Sequence, residues 1–94
     1  MITGSQIRAA RALLNWTSAQ TAEMANLTRQ TLHRLETHDD VPPSRSGSLF
    51  ALEQLFIVHG VEFIDADEYR GEGVRFVQRL KQRRSLAVEK GAGV

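Results

Sequence analysis

Ninety-four residues are enough for one small domain with a single hydrophobic core, and a formal net charge of +1 excludes a uniformly basic protein. The absence of cysteine excludes disulfides and thiolate metal sites, and the three histidines lack the spacing of a zinc site, so we expect no metal and no cofactor. No apolar run approaches membrane-spanning length and no apolar signal segment begins the chain. The sequence therefore predicts a cytoplasmic protein without a membrane partner.

A first helix is predicted from Gly4 to Leu14. Thr3 and Gln6 have the spacing of a capping box, in which each side chain accepts a hydrogen bond from a backbone N–H that the helix leaves unpaired. Ile2 is placed to pack on Ile7 as a hydrophobic staple. Apolar residues at helical spacing predict one buried face: Ile7, Ala10, Leu13 and Leu14. Asn15 is expected to end this helix, and Trp16 to pack in the core or under the following turn rather than to stack on a base or ligand.

Two short helices joined by a tight turn are predicted between Thr17 and Glu36. Thr17 and Gln20 form a second capping box, and Asn26 tolerates the left-handed conformation in which helices commonly end. Thr28 is a candidate N-cap for the second of these helices, which is predicted to run from Arg29 to about Thr37.

The second of these helices has two chemically different faces. Leu32 and Leu35 predict its buried face. The outward residues are long hydrogen-bonding side chains of the kind that read DNA from the major groove: Arg29, Gln30, His33 and Arg34.

The remainder of the chain predicts a linker, a fourth helix and a hairpin. Prolines 42 and 43 prevent helix continuation, and a further helix is predicted from between Ser46 and Ser48 to His59, with Gly60 after its end. Val61–Ile64 and Val74–Val77 then predict two short strands, which must pack on the helices, pair with another copy, or both, because an isolated hairpin is marginal in water. Residues 78–94 are a basic tail or a short helix. The predicted organisation is a helix-turn-helix domain at residues 1–60, a β-hairpin at 61–77 and the basic tail or short helix at 78–94.

The sequence I-R-A-A-R-A-L-L-N-W-T followed by T-R-Q-T-L-H-R-L-E resembles the Xre family of bacterial and phage helix-turn-helix regulators, which includes phage repressor and Cro proteins. The resemblance covers Ile2 to about Gly60. It implies a mainly α fold: a lambda-repressor-like helix-turn-helix bundle of about four helices, here with a short C-terminal β-hairpin and a basic tail. It also implies a transcriptional regulator associated with the nucleoid, whose partner is double-stranded DNA.

The resemblance implies roles for individual residues. Base reading falls to Arg29, Gln30 and Arg34. Phosphate contacts fall to residues around the two helix starts and the fourth helix: Thr17, Ser18, Thr28, Thr31, His33, Ser44 and Arg45. Arg11 and Glu36 match an internal salt bridge of the family, whereas Arg8 is expected to be a surface residue, with a phosphate contact as the alternative. Ser18 stands where the family usually has Gln, and Thr21 where it usually has a buried Leu, so the core is expected to be smaller there or repacked by Trp16.

One recognition helix covers only a few base pairs, so useful specificity usually needs a two-fold dimer on a palindromic operator. We expect a homodimer built by the fourth helix and the apolar hairpin residues: Val61, Phe63, Ile64, Val74 and Phe76. The basic tail is expected to aid DNA binding non-specifically, with a protein partner on the tail as the alternative.

Two other functions stay open: a protein-interaction module (an anti-activator or adaptor) that binds another regulator or RNA polymerase, and an autorepressing antitoxin. No catalytic arrangement of side chains is visible in the sequence, and we expect no enzyme.

Overall fold

The computed structural model describes residues 1–44 and 47–77 and contains, in that part of the chain, four helices and one two-stranded sheet. The helices are α1 (Gly4–Leu14), α2 (Ser18–Ala25), α3 (Arg29–Glu36) and α4 (Ser48–Val58), followed by strands β1 (Val61–Ile64) and β2 (Gly73–Phe76). The prediction of a mainly helical chain with a short hairpin is confirmed. None of the helices among these residues is long and apolar enough to cross a membrane.

The predicted caps set the helix boundaries. In the α1 capping box the N–H of Gln6 donates to Thr3 Oγ1 at 3.1 Å, and the N–H of Thr3 donates to Gln6 Oε1 at 3.0 Å. Thr17 and Gln20 make the same reciprocal pair at the start of α2. Asn15 and Asn26 end α1 and α2 in the left-handed region, with φ of 64° and 60°. These positions tolerate asparagine because its short polar side chain is compatible with that conformation.

The helices and the hairpin share one hydrophobic core. Its buried apolar residues come from the four described helices, from β1 and from the residue Ile2 before α1: Ile2, Ile7, Ala10, Ala22, Leu32, Leu35, Leu49, Leu52, Phe56 and Val61. Trp16 packs against this core as predicted, with its ring 5.8 Å from that of Phe56 and 4.8 Å from that of His59.

Thr21 occupies a fully buried position, with 0% of its surface exposed. Its hydroxyl donates to the carbonyl of Thr17 at 2.8 Å, so the polar group that distinguishes threonine from an aliphatic residue is hydrogen-bonded within the helix. The site accepts threonine because burial leaves no unpaired hydroxyl.

The hairpin is antiparallel, with Val61 opposite Phe76 and Ile64 opposite Gly73. The second strand was predicted as Val74–Val77, which is wrong by one residue at each end. Pairing extends to Gly73 because that residue lies opposite Ile64, and regular pairing stops at Phe76 because Gly60, with φ +96°, interrupts the extended partner strand. Val77 still donates its N–H to the Gly60 carbonyl at 2.7 Å.

Gln6 attaches the hairpin to the first helix. The residue is 4% exposed, and its Nε2 donates to the carbonyls of Ile64 at 3.1 Å and Gly73 at 2.9 Å. Gln6 therefore caps α1 through its amide oxygen and, through its amide nitrogen, binds the last strand pair before the hairpin loop. The sheet consequently packs on the helices rather than standing apart from them.

Candidate nucleic-acid interface

The third helix has a buried and an exposed face. Leu32 and Leu35 are fully buried and Glu36 is 5% exposed, whereas Arg29, Gln30, His33 and Arg34 are exposed. The predicted assignment of the two faces is confirmed.

A short hydrogen-bonded turn leads into α3. The N–H of Leu27 donates to the Ala22 carbonyl at 2.8 Å, which closes the end of α2. Thr28 Oγ1 then accepts from the N–H of Thr31 at 3.0 Å and donates to the Thr31 hydroxyl at 2.9 Å. These contacts close the end of α2 and cap the start of α3, and they give the hydroxyls of Thr28 and Thr31 a mutual partner.

The far end of α3 is held by two arginines of α1. Arg11 and Glu36 form the predicted salt bridge, with Nε to Oε1 at 3.0 Å and a second contact to Oε2 at 3.2 Å. Arg11 also donates to the Trp16 carbonyl at 3.2 Å. Arg8 donates to the backbone carbonyl of Glu36, at the helix terminus where a positive charge is favourable. Arg8 is thus a structural residue at the α1–α3 contact, a role that the sequence did not reveal.

The exposed side chains of α3 differ in their freedom. Within residues 1–44 and 47–77, Arg29, Gln30 and His33 make no side-chain hydrogen bond or ion pair. Arg34 donates to the Pro43 carbonyl at 3.2 Å and is therefore partly engaged with the segment after α3. The first turn of α3 carries the least constrained polar groups of this face.

Two helix starts face outward beside this surface. Thr17 is exposed and Ser18 half-buried at the start of α2, and Thr28 is exposed at the start of α3. The caps bond the third N–H of each helix, which leaves the first two N–H groups of each helix without an acceptor inside it. Such groups favour anions because they coincide with the positive end of the helix dipole.

Ser44, a predicted phosphate contact, lies just before α4. Its hydroxyl oxygen accepts from the N–H of Leu49 at 3.2 Å, and its phosphate contact stays a prediction. Gly47, the N-cap residue, has no side chain with which to cap the helix, so Ser44 supplies that acceptor from the preceding segment. Arg45 lies outside the described residues, as does the predicted basic tail.

The exposed face of α3 is positively charged. The single carboxylate of α3 belongs to Glu36, which is buried and paired, so the exposed face of the helix carries Arg29 and Arg34 without an acidic side chain of its own. Asp39 and Asp40 lie beyond the C-terminal end of α3, away from its first turn. An arrangement of this kind attracts an anionic ligand to the start of the helix.

Compared with family models, curated proteins and solved structures, the chain matches none. No group of three or more His, Asp or Glu side chains in the described residues is arranged to hold a metal ion.

The predicted dimer residues are not equivalent in the structure. Val61 is 2% exposed and belongs to the core of its own chain, and Phe63 and Val74 pack partly against that core. Ile64 and Phe76 are half-buried. Of the five residues, Val61 has almost no surface left with which to contact a second copy.

Proposed function

We propose that this chain is a sequence-specific DNA-binding transcriptional regulator with a lambda-repressor-like fold, in which α2, the turn at Asn26–Thr28 and α3 form a helix-turn-helix motif. The observation that carries the proposal is the state of the first turn of α3. Arg29 and Gln30 are exposed there, without partners among the described residues, while the opposite face of the same helix is buried and braced. Side chains that are free on a rigid helix are what base reading requires.

In this proposal α3 enters the major groove with its N-terminal end nearest the base edges. Arg29 pairs with the O6 and N7 of guanine, and Gln30 with the N6 and N7 of adenine. The N–H groups at the start of α2, with Thr17 and Ser18, contact a phosphate and set the register. Thr28 does the same at the start of α3.

Arg34 and His33 have secondary roles in the proposal. Arg34 reads a base one turn further along α3 only if it exchanges its hydrogen bond to Pro43 for one to DNA. His33 is exposed on the same helix and lies nearer to the phosphate backbone. The strongest contribution to specificity is thus assigned to Arg29 and Gln30.

The proposed active species is a homodimer on a palindromic operator. The predicted hairpin residues that are half-buried, together with α4, are the proposed contact: Phe63, Ile64, Val74 and Phe76. Sedimentation at micromolar concentration, with and without operator, tests this part. A strictly monomeric protein in both conditions would exclude the dimer while leaving base reading to be tested by itself.

The base-reading claim is tested by selecting a high-affinity site from random duplexes and titrating it with variants by fluorescence anisotropy. Arg29→Ala and Gln30→Ala are each expected to lose about 1–3 kcal/mol on the selected site and much less on random duplex. Arg70→Ala is the matched control for loss of a positive charge, because Arg70 lies in the hairpin loop with an 85% exposed side chain. Equal losses for Arg29→Ala and Arg70→Ala, or equal losses on both duplexes, would refute base reading.

A second candidate function is favoured by the outer surface of α4. Phe50 and Val58 are 59% and 74% exposed, which is unusual for large apolar side chains on a helix and is typical of a protein-binding surface. A salt titration on random duplex separates the two functions. A DNA-binding protein loses affinity steeply as salt rises, whereas an adaptor that binds only protein shows almost no affinity for the duplex at any salt concentration.

A further inference from the structure

A shallow apolar groove of about 310 Å³ lies between α4 and the hairpin. Two residues of α4 form one wall, and residues of β1 with the residue after β2 form the other: Glu53, Ile57, Val61, Glu62, Phe63 and Val77. Ile57 is 43% exposed and Val77 48% exposed, so apolar surface is open to solvent in the part of the chain that the structure describes. Such surface gains stability when another apolar group covers it.

A large apolar side chain protrudes from the same side of α4. Phe50 is 59% exposed and precedes Ile57 by seven residues, which is about two helical turns. Residues at this spacing lie within about 20° of each other around the helix axis and about 10 Å apart along it. The side of α4 that turns away from the core therefore carries a protruding aromatic ring and, two turns later, the apolar wall of a groove.

A protruding ring and a groove on one surface are self-complementary about a two-fold axis, because each of two copies offers both parts. We propose that, in the homodimer of the proposed function, the α4 helices of two copies cross antiparallel and each Phe50 occupies the groove of the other copy. The two-fold axis lies level with Glu53 and Gln54, midway between Phe50 and Ile57. A parallel crossing would instead set Phe50 against Phe50 and leave both grooves uncovered.

The groove is continuous with the hairpin contact, because Phe63 lines the groove and is also one of the half-buried hairpin residues. The α4 helices therefore extend that contact rather than replace it. Packed helices lie about 8–10 Å apart, a distance at which side chains of one helix reach between those of the other. Phe50 of one copy then reaches the wall that Ile57 forms in the other.

Glu53 opposes this pairing. It is half-buried at the edge of the groove and forms no salt bridge with another described residue. The two-fold axis brings its two copies towards each other, and like charges near a protein surface are screened less than in bulk water. Glu53→Gln is therefore expected to tighten the dimer, which no defect in folding would imitate.

The pairing is tested without DNA by sedimentation equilibrium of the full chain and of two variants, Phe50→Lys and Ile57→Glu. Each variant alone is expected to dimerise at least about tenfold more weakly, because a charge replaces one member of both apolar contacts. An equimolar mixture is expected to recover dimer, since the new lysine then faces the new glutamate and one native contact remains. Parallel helices would allow no such recovery.

Val58→Lys is the matched control. It also replaces an exposed apolar side chain of α4 by lysine, at a residue that is 74% exposed and lies about 80° around the helix axis from Phe50. The dimer is expected to be unchanged in this variant. Circular dichroism of each variant checks that the helices are retained.

The inference rests on the dimer of the proposed function, and the two fail differently. A dimer that survives Phe50→Lys, a mixture no stronger than its components, or a Glu53→Gln chain that dimerises no more tightly would overturn the α4 pairing and leave the hairpin contact standing. A native chain that stays monomeric without DNA would also overturn the α4 pairing and leave Phe50 to a different protein. Base reading by Arg29 and Gln30 keeps its separate test on duplex.

Discussion

Substitutions at Arg11 and Glu36 measure how much the salt bridge between α1 and α3 contributes to the free energy of unfolding. Arg11→Met keeps an apolar stem in place but removes both hydrogen bonds to Glu36, whose residue surface is only 5% exposed. The carboxylate is then left buried without its partner. Breaking a buried pair in this way typically costs about 3–5 kcal/mol, which is a large part of the stability of a small domain.

Substitution of Glu36 should lower the free energy of unfolding less than substitution of Arg11, because the two partners are buried to different extents. The side chain of Arg11 is 22% exposed and that of Glu36 is 7% exposed. In Glu36→Gln the amide oxygen still accepts from Arg11, and the guanidinium still reaches water and the Trp16 carbonyl. We expect a loss of about 1–3 kcal/mol. Arg11→Met combined with Glu36→Leu removes both charges, and should restore the stability to within about 1 kcal/mol of the original protein.

Urea denaturation followed by Trp16 fluorescence and by circular dichroism measures these differences, with equal slopes required for comparison. A variant already unfolded without urea is brought back with trimethylamine N-oxide before titration. Losses below about 1 kcal/mol for both single variants would show that the pair behaves like a solvent-exposed ion pair. That result would refute the inference that burial of Glu36 makes this salt bridge a major stabilising contact between α1 and α3.

Two further predictions concern the first helix and the hairpin. Gly4→Ala should destabilise the protein by about 1–3 kcal/mol despite the higher helix propensity of alanine, because the new Cβ would lie 1.9 Å from the His38 carbonyl oxygen. Gly71→Ala, with nothing within 4 Å, is the control, and equal stabilities of the two variants would contradict this. The hydrogen bond from Arg75 lowers the pKa of Glu62, so the stability from this pair is present above the unfolded-state pKa and is lost as pH falls through the folded one. Carboxyl NMR titration should give a higher midpoint for Glu62 in Arg75→Gln, and an unchanged midpoint would show that the pair is not formed in solution.

Most of the local structure was predictable because it is encoded by residues close together in the chain. Capping boxes join residues three apart, and Asn15 and Asn26 end helices through their own backbone preference. The spacing of three residues between Leu32 and Leu35 likewise predicted which face of α3 is buried. The Arg11–Glu36 salt bridge spans 25 residues, and it was found only through the resemblance to a family.

The contacts that were missed depend on the tertiary arrangement. Nothing near Ser44 indicates that its hydroxyl would cap α4, because that role arises from the path of the linker and the lack of a side chain at Gly47. Arg8 looked like any surface arginine, and its role depends on how closely α1 approaches the end of α3. The sequence indicated that Gln6 caps α1, but it gave no sign that the same side chain also binds the hairpin carbonyls.

The double role of Gln6 has a consequence for how the chain folds during synthesis. Its amide oxygen finds a partner within three residues, but its amide nitrogen binds carbonyls 58 and 67 residues further along. A nascent chain that ends after α4 has the α1 cap but lacks both of those acceptors, and it also lacks Val61, which belongs to the same core. The start of α1 is therefore completed only after residue 73 has been made. The first turn of α1 and strand β2 should protect their amides from hydrogen exchange as one cooperative unit.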